Sequence, residues 1–442
     1  MTNVSRFLSR LTKTAWPTPW SGLFAALFVL SSLALVALPV IPQVLGSGKH
    51  QDYQLWFVVG QRMLRGGPLQ EIDNGVFDFL YTPFAGLLLA IPAYFGKTAM
   101  VVMLSCLNLL AWWVAIALSN RLSGDDRPVA PWVAAAPVIV TLPFVYDQFH
   151  IGQPNLLLLA LALCGFCLLR RDRGWLAGLP FAAAGAIKVF PMLILPWLLW
   201  RGYWRTTLSM VALLIVFLVV VPGAIRGFDR NWSELGGWVS GMLPSGGDRE
   251  FGQRADLWGW KNQSLYAVEH RLLRPIDAEI DPDEAEPPTF VNLLDLDPRT
   301  VDAVVLATAL AIGTGFVLLM PARRRRTRQS DAAEWSILAL LVVIASPVAR
   351  SYYYVWMLLP YVVLVRSAAG EPDRRVARWQ VFAVALSVVL LAAGINGIRP
   401  HWTQAAGVFL WSAVVVIAAL ASLMRRSAAV APAATAPTVA PP

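Results

Sequence analysis

Charged residues are scarce in this chain of 442 residues: they make up 14% of it, whereas soluble domains carry about 25%. Hydrophobic residues make up 57%. Several apolar runs, such as 22–41, reach the ~20 residues that cross a bilayer as a helix. Backbone polar groups in lipid must be satisfied within their own segment, so these runs must be helical. The shortage of charge therefore excludes an ordinary soluble domain and predicts an all-α polytopic membrane protein.

Cysteine and histidine are also scarce, with three and four residues respectively. Three cysteines do not make a disulfide framework. Cys164 and Cys167 form a C-x-x-C pattern, but it lies within the apolar run 156–169, where a spacing of one helical turn suits helix packing. The histidines are scattered along the chain: His50, His150, His270 and His401. We therefore expect no cofactor and no requirement for a metal ion.

Lysine and arginine outnumber the acidic residues by 36 to 27, which gives a net charge of +9. This excess does not indicate a nucleic-acid partner, because the basic residues cluster in short loops between apolar runs, as the positive-inside rule describes. The cluster at 323–326 is expected in the cytoplasm, together with the basic N-terminus, 1–21. We expect 22–41 to be an uncleaved first span. The polar segments 42–79 and 226–298 are then expected on the outer side of the cell membrane.

Thirteen apolar segments are apparent between residues 22 and 424, but two cytoplasmic termini require an even number of crossings. Either 174–187 and 189–200 form one kinked helix, or 80–95 is re-entrant; the arginines just before residue 174 favour the second alternative. We expect about twelve transmembrane helices within 22–424, oriented by the basic loops. The tail 425–442 is rich in Ala, Pro and Thr and is predicted to be disordered and cytoplasmic.

An aspartate, Asp52, closely follows the first span. A carboxylate at the mouth of a helix bundle can act as a general base when an apolar wall raises its pKa; the alternative is a solvated loop acid. The segment 53–64 has apolar residues at helical spacing, so we predict an amphipathic helix that lies at the membrane interface. Such a helix would present Asp52 beside the lipid headgroups.

Polar side chains open the apolar run that begins near residue 152: His150, Gln153 and Asn155. Polar groups in lipid must find partners, so they often face a cavity, and amides suit ligands rich in hydroxyl groups. The N-terminus of the predicted helix also favours a phosphate. The alternative interpretation is helix capping.

Two cations are candidate ligands of a phosphate. Lys188 lies among apolar residues, which makes it a candidate functional residue; the alternative is that its amine reaches the membrane interface. Arg350 lies in the segment that joins two predicted spans, and its guanidinium can pair with a phosphate. Tyr353 lies three residues later, and its ring is a candidate wall of a substrate pocket.

The long polar segment 226–298 holds the amides Asn262 and Gln263, with Trp258 and Trp260 close by in sequence. Aromatic rings beside amides are a common way to hold a sugar, which has an apolar face and a polar rim. The alternative for the tryptophans is a belt at the membrane interface. We predict that these four side chains contact substrate.

Together these features resemble glycosyltransferase family 87 of the GT-C superfamily. The marks occur in the family's order: Asp52, Tyr81-x-Pro83, Gly152-Gln153-x-Asn155, Lys188-x-x-Pro191, Asn262-Gln263-Ser264-Leu265 and Ser346-Pro347. The family includes mycobacterial mannosyltransferases that build phosphatidylinositol mannosides and lipoarabinomannan, and an arabinofuranosyltransferase. The family often has tryptophan and histidine after Ser-Pro, whereas this chain has Arg350 and three tyrosines there, so a role for that histidine does not carry over.

The resemblance implies a GT-C-like helix bundle whose extracytoplasmic loops form the active site. It implies transfer of mannose, another hexose or arabinofuranose from a polyprenyl-phosphate donor to a glycolipid or glycan acceptor. The anomeric carbon would be inverted, with Asp52 as base. Two other functions stay open: a transporter or flippase of lipid-linked sugars, and a scaffold without catalysis. Transporters tend to contain internal repeats, and none is evident in this sequence.

Overall fold

The computed structural model describes residues 21–46, 52–69, 79, 81–124, 127, 129–242, 257–279, 287–395 and 401–430. Helices make up most of these residues. Among the described helices, eight are long and apolar enough to cross a membrane. The prediction of an all-α polytopic membrane protein is therefore confirmed.

The first half of the chain forms ten α-helices within the described ranges: α1 (Ser21–Val44), α2 (Asp52–Leu64), α3 (Pro83–Tyr94), α4 (Lys97–Leu122), α5 (Pro131–Ile151), α6 (Asn155–Arg170), α7 (Gly174–Ile187), α8 (Ile194–Arg201), α9 (Trp204–Ile215) and α10 (Val221–Arg226). A 3₁₀ turn (Phe190–Leu193) leads into α8, and a π-helical turn (Val216–Val220) joins α9 to α10. The predicted amphipathic helix is α2, because its buried residues Tyr53, Trp56, Val59 and Met63 recur at helical spacing.

The described part of the second half forms α11 (Phe228–Met242), α12 (Leu265–Leu273), α13 (Pro298–Leu319), α14 (Arg328–Ile344), α15 (Leu358–Gly370), α16 (Arg374–Gly394), α17 (Trp402–Ala405) and α18 (Val408–Val430). A 3₁₀ helix (Ser351–Met357) leads directly into α15. Two helices, α11 and α12, fall within the segment that the sequence marks only as polar.

Several apolar helices are shorter than a complete span: α3, α6, α7 and the unit Phe190–Arg201. The 12 residues of α3 rise about 18 Å at 1.5 Å per residue, whereas the hydrocarbon core is about 30 Å thick. A helix of this length does not cross the core alone, which agrees with the re-entrant alternative for 80–95. The total of about twelve spans stays a prediction.

The chain reverses direction at Lys188. Its N–H closes α7 on Ala184 O, and its backbone is extended. At the other end of α7, Gly174 O accepts a hydrogen bond from Thr206 Oγ1 at 2.9 Å, only five residues after Arg201 ends α8. The start of α7 and the end of α8 are therefore neighbours. The two helices form a hairpin, and the alternative of one kinked helix through 174–200 does not hold.

One end of the bundle gathers arginines, and we name it the basic end. Arg170 Nη1 donates to Arg121 O at 2.8 Å. Arg201 forms a buried ion pair with Glu334, whose carboxylate also accepts from Trp197 Nε1 at 2.8 Å. The ends of α4, α6 and α8 thus meet the start of α14. The opposite end, where α2 packs against the turn between α5 and α6, is the site end.

The described part of the polar segment 226–298 folds onto the site end. Arg226 pairs with Glu234 of α11 and donates to Gly67 O at 2.9 Å, just beyond α2. Ser264 caps α12, because its side chain accepts a hydrogen bond from the first turn. The described part of this segment, which we name the outer segment after the side of the membrane predicted for it, is therefore held against the helices that carry the site.

The last helix continues beyond Arg426 into the segment predicted as a disordered tail. Arg426 lies 3.7 Å from the Asp373 carboxylate and 3.9 Å from that of Glu371. Cations near a helix C-terminus are also stabilised by the helix dipole. Residues 425–430 are thus helical. Residues 1–20 and 431–442 lie outside the described residues, as does His50.

Candidate functional site

Asp52 is the first residue of α2, and its two nearest aromatic neighbours in the helix fix its position. Tyr53 OH donates to Phe149 O at 3.0 Å, and Trp56 Nε1 donates to Gly152 O at 2.8 Å. Gly152 has φ +93°, and a Cβ there would lie 3.0 Å from the Tyr53 ring, so the turn requires glycine. These contacts bring Asp52 to the turn between α5 and α6.

Gln153 connects the charged groups of the site. Its Nε2 donates to Asp52 Oδ2. Its Oε1 accepts from Tyr81 OH at 2.7 Å and from Lys188 Nζ at 3.1 Å. Its backbone carbonyl accepts from Asn108 Nδ2 at 3.1 Å. A carboxylate acts only as an acceptor and an ammonium only as a donor, so a single orientation of this amide satisfies both neighbours.

Lys188 is buried at the tip of the α7–α8 hairpin. Its Nζ lies 4.2 Å from the ring centroid of Tyr353 and 5.0 Å from that of Tyr81. Aromatic faces stabilise a cation by cation–π attraction. An ammonium has three donors, and one of them is used by Gln153. The site thus holds a cation and a carboxylate on either side of one amide.

The loop 346–354, which we name the tyrosine loop, forms one wall of the site. Tyr353 packs on Phe190 with ring centroids 5.1 Å apart. Arg350 lies near enough for its positive charge to act on Lys188. The two predicted phosphate ligands are therefore brought into one electrostatic environment, although they are far apart in sequence.

The two other polar residues predicted near the start of α6 lie close by. The His150 ring stacks on Tyr146, with centroids 5.8 Å apart. Asn155 is fully buried, and its backbone N–H donates to Gln148 Oε1 at 3.1 Å. Its side-chain amide has no hydrogen-bond partner among the described residues. The structure thus places a polar group without a protein partner in the first turn of α6.

The predicted sugar ligands of the outer segment are placed differently. Asn262 Nδ2 donates to Pro347 O at 3.0 Å, and Gln263 Nε2 donates to Gln404 O at 2.6 Å. Asn262 therefore binds a backbone carbonyl of the tyrosine loop, and Gln263 binds one of helix α17. Their predicted contact with substrate stays a prediction.

The two tryptophans pack apart from the cluster around Gln153. Trp260 stacks on His401 with ring centroids 3.7 Å apart. Trp258 lies 4.4 Å from the His270 ring, in α12. Burial lowers the pKa of His270 below its ordinary value. The structure therefore groups Asp52, Gln153, Lys188, Arg350 and Tyr353, and gives each tryptophan aromatic partners of its own.

The sequence alone does not identify Tyr81 or Asn108 as side chains that contact Gln153. Burial raises the pKa of Tyr81 well above its ordinary value, so its hydroxyl stays protonated and donates to Gln153. Tyr81 belongs to the Tyr-x-Pro mark of the family, and that signal points to it. Asn108 is an amide in the middle of a long apolar helix, a placement that usually indicates a functional role or a buried partner.

An apolar groove adjoins the site. It is a cavity of about 580 Å³ between α3, α4 and the start of α6, and the site residues at its inner end are Trp56, Tyr81, Asn108 and Gly152. Further out, its walls include Leu88, Ile91 and Leu110, whose side chains are 40%, 58% and 58% exposed. The groove therefore leads from the polar cluster to the lateral surface of the bundle, which faces lipid in a membrane protein.

Comparison with known proteins follows this geometry. Glycosyltransferase family 87 matches residues 79–347, more than half of the chain. Two similar proteins are polyprenol-phosphate-mannose-dependent alpha-(1-2)-phosphatidylinositol mannoside mannosyltransferases. The protein of Mycobacterium tuberculosis is 25% identical over 382 residues, which cover 81% of this chain and 80% of that protein. The protein of Mycolicibacterium smegmatis is 24% identical over 409 residues, which cover 85% and 84%. No solved structure matches the chain significantly. The chain belongs to glycosyltransferase family 87 and is a membrane glycosyltransferase.

Proposed function

We propose that this protein transfers mannose from a polyprenyl-phosphate-mannose donor to a glycolipid on the outer face of the cell membrane, with inversion and with Asp52 as general base. The observation that carries the proposal is the amide of Gln153, which binds Asp52 through its Nε2 and Lys188 through its Oε1. A base and a cation are thereby held a fixed distance apart. A single displacement needs a base for the acceptor and positive charge for the departing phosphate.

The proposed reaction is one displacement at the anomeric carbon. The acceptor hydroxyl oxygen forms the new bond to that carbon, while the bond from the carbon to the phosphate oxygen breaks. The electron pair leaves with the polyprenyl phosphate, and the hydroxyl proton passes to the Asp52 carboxylate. Attack from the face opposite the leaving phosphate inverts the anomeric configuration.

The phosphate of the donor is assigned to Lys188 and Arg350. Lys188 is buried, and a buried ammonium favours a partner of opposite charge. Arg350 adds a second positive charge close by, and its planar guanidinium matches a phosphate in two hydrogen bonds. Two protein cations facing the phosphate are the reason to expect transfer without a metal ion.

The apolar groove supports a lipid-linked donor. It opens laterally between α3 and α4 and ends at Tyr81 and Gly152, beside Gln153. A polyprenyl chain is apolar, so it is compatible with an apolar groove that opens to lipid, and its phosphate can reach the polar cluster at the inner end of the groove.

The acceptor is assigned by chemistry. Both similar proteins act, by name, on a phosphatidylinositol mannoside, so we infer a glycolipid that presents a sugar hydroxyl. His150 and Asn155 lie beside Gln153 in sequence and carry groups suited to sugar hydroxyls. The unpartnered amide of Asn155 is the stronger candidate of the two.

Purified protein, radiolabelled polyprenyl-phosphate mannose and a phosphatidylinositol mannoside acceptor test the proposal. We expect acceptor-dependent transfer of label and release of polyprenyl phosphate. Vesicles that contain donor but no acceptor distinguish the proposed transferase from a transporter. A flippase would move the intact donor across the bilayer without cleaving its sugar–phosphate bond. Donor translocation without any transfer would contradict the proposal.

A further inference from the structure

Asn262 uses its entire side-chain amide on the protein backbone. Its Nδ2 donates to Leu257 O and to Pro347 O, both at 3.0 Å. Its Oδ1 accepts from Ser264 N at 3.1 Å and from Ala349 N at 3.0 Å. An amide has two donor hydrogens and two acceptor lone pairs, and all four are occupied. The side chain is also buried, so its amide links the backbone of the outer segment to that of the tyrosine loop.

The two residues after Asn262 add hydrogen bonds between the outer segment and the tyrosine loop. Gln263 N donates to Ala349 O at 2.7 Å, and Ser264 Oγ donates to Pro347 O at 3.1 Å. Tyr354 OH donates back to Gln263 O at 2.8 Å. The outer segment therefore holds the tyrosine loop along its length.

Helix α5 holds the same loop from its other side. Ser351 Oγ donates to Asp147 Oδ2 at 2.6 Å, and Gln148 Nε2 donates to Tyr352 O. Arg350 thus lies between two anchored neighbours: Ala349 is bonded to the outer segment and Ser351 to α5. Together the two anchors fix the backbone from which the side chain of Arg350 extends.

We propose that Asn262 and Asp147 are positioning residues of the donor-phosphate subsite, a proposal that rests on the assigned function. They fix the backbone on the two sides of Arg350 and so set its charge, and the ring of Tyr353, against Lys188. The outer segment shapes the phosphate subsite through this loop. Asp147 is a carboxylate near the site, and its assigned task is to hold Ser351.

Asn262→Ala and Asn262→Asp test the first anchor. The aspartate keeps both acceptor bonds but sets a carboxylate oxygen against the two carbonyl oxygens that Nδ2 contacts, so it breaks the donor side of the contact. The thermal unfolding midpoint of each variant separates loss of this contact from loss of the fold. Asn292→Ala is the matched control, because Asn292 donates to Leu294 O within the outer segment itself. We measure the affinity of detergent-solubilised protein for a polyprenyl monophosphate, and the KM for donor and for acceptor.

We expect both Asn262 variants to weaken polyprenyl-phosphate binding and raise the donor KM by about ten- to a hundredfold, as small misplacements in a site do. The acceptor KM should stay within about twofold, and the control should match the parent. Asp147→Asn should act in the same direction, since it weakens the bond to Ser351.

A double-variant cycle with Arg350→Gln decides whether Asn262 acts through Arg350. If it does, Asn262→Ala adds little to the loss already caused by Arg350→Gln. Full additivity would overturn the proposal, as would unchanged phosphate affinity in both Asn262 variants. If the parent protein binds no polyprenyl phosphate at all, the assigned function fails together with this proposal; if the parent binds it and the variants bind alike, only the positioning role fails.

Discussion

At the scale of single residues, the site depends on a carboxylate, which only accepts hydrogen bonds, and on an ammonium, which only donates them. Gln153 lies between a carboxylate and an ammonium, and the phenol of Tyr81 adds a second donor to its Oε1. The sequence places Gln153 at the start of a predicted helix, and its polar side chain predicts that it faces other polar groups. It does not reveal that the amide joins Asp52 to Lys188, because the partners of an amide depend on packing between distant segments.

Asp52→Asn tests the base. The asparagine carbonyl still accepts from Gln153 Nε2, so the local geometry is kept, but the side chain takes up no proton. Loss of a general base typically lowers the rate by a factor of ~10²–10⁴, and we expect kcat to fall by this amount while polyprenyl-phosphate affinity is kept. Asp295→Asn, at an exposed residue of the outer segment, is the control. Turnover near that of the parent would assign the base to another residue.

Lys188→Gln and Arg350→Gln test the cations. Each replacement removes one positive charge from the phosphate subsite, so we expect weaker donor binding and a higher donor KM, with a smaller change in acceptor KM. Charge-assisted hydrogen bonds contribute about 1.5–3 kcal/mol each, which corresponds to roughly ten- to a hundredfold in affinity. Arg299→Gln removes an exposed cation of α13 and should leave both constants unchanged. If both site variants bind the donor with the affinity of the parent, neither Lys188 nor Arg350 is a ligand of the phosphate.

At the scale of helices, local patterns predict some elements and leave others open. The apolar spacing of 53–64 is a local signal, and α2 occupies almost the same residues. The direction of the chain after Lys188 has no such signal, because a lysine followed by Pro191 suits a kink and a reversal equally well. The contact of Thr206 with Gly174 decides it, and that contact joins segments 32 residues apart in sequence.

The buried ion pair at the basic end should stabilise the contact between α8 and α14. Both side chains are at most 7% exposed. Glu334→Gln leaves Arg201 buried without its counter-charge, a change that typically costs about 3–5 kcal/mol. We expect a clear fall in the thermal unfolding midpoint of the detergent-solubilised protein. Arg326 and Asp331 form a more exposed pair, and Asp331→Asn should cost about 1 kcal/mol or less. Equal midpoints for the two variants would contradict this account.

At the scale of the whole molecule, the sequence predicts the class of fold better than it predicts the site. Composition alone indicates the all-α membrane fold, because long apolar runs with little charge are stable in lipid, and a lone apolar segment satisfies its backbone there only as a helix. The partners of the outer segment are not visible in its composition. Its amides Asn262 and Gln263 are predicted sugar ligands, and the sequence does not reveal that in the fold they bind the backbone carbonyls of Pro347 and Gln404.

The orientation of the bundle in the membrane is the remaining large-scale prediction. The basic end is expected in the cytoplasm by the positive-inside rule, which places Asp52 and the outer segment on the outer face. Ser233→Cys in α11 and Ala322→Cys next to the arginine cluster test it, because both positions are exposed. The three native cysteines are first replaced by alanine. An impermeant maleimide should label Ser233→Cys in intact cells and Ala322→Cys only after the cells are opened. Labelling of Ala322→Cys in intact cells would invert the topology, and the glycolipid acceptor would then have to present its hydroxyl from the cytoplasmic leaflet.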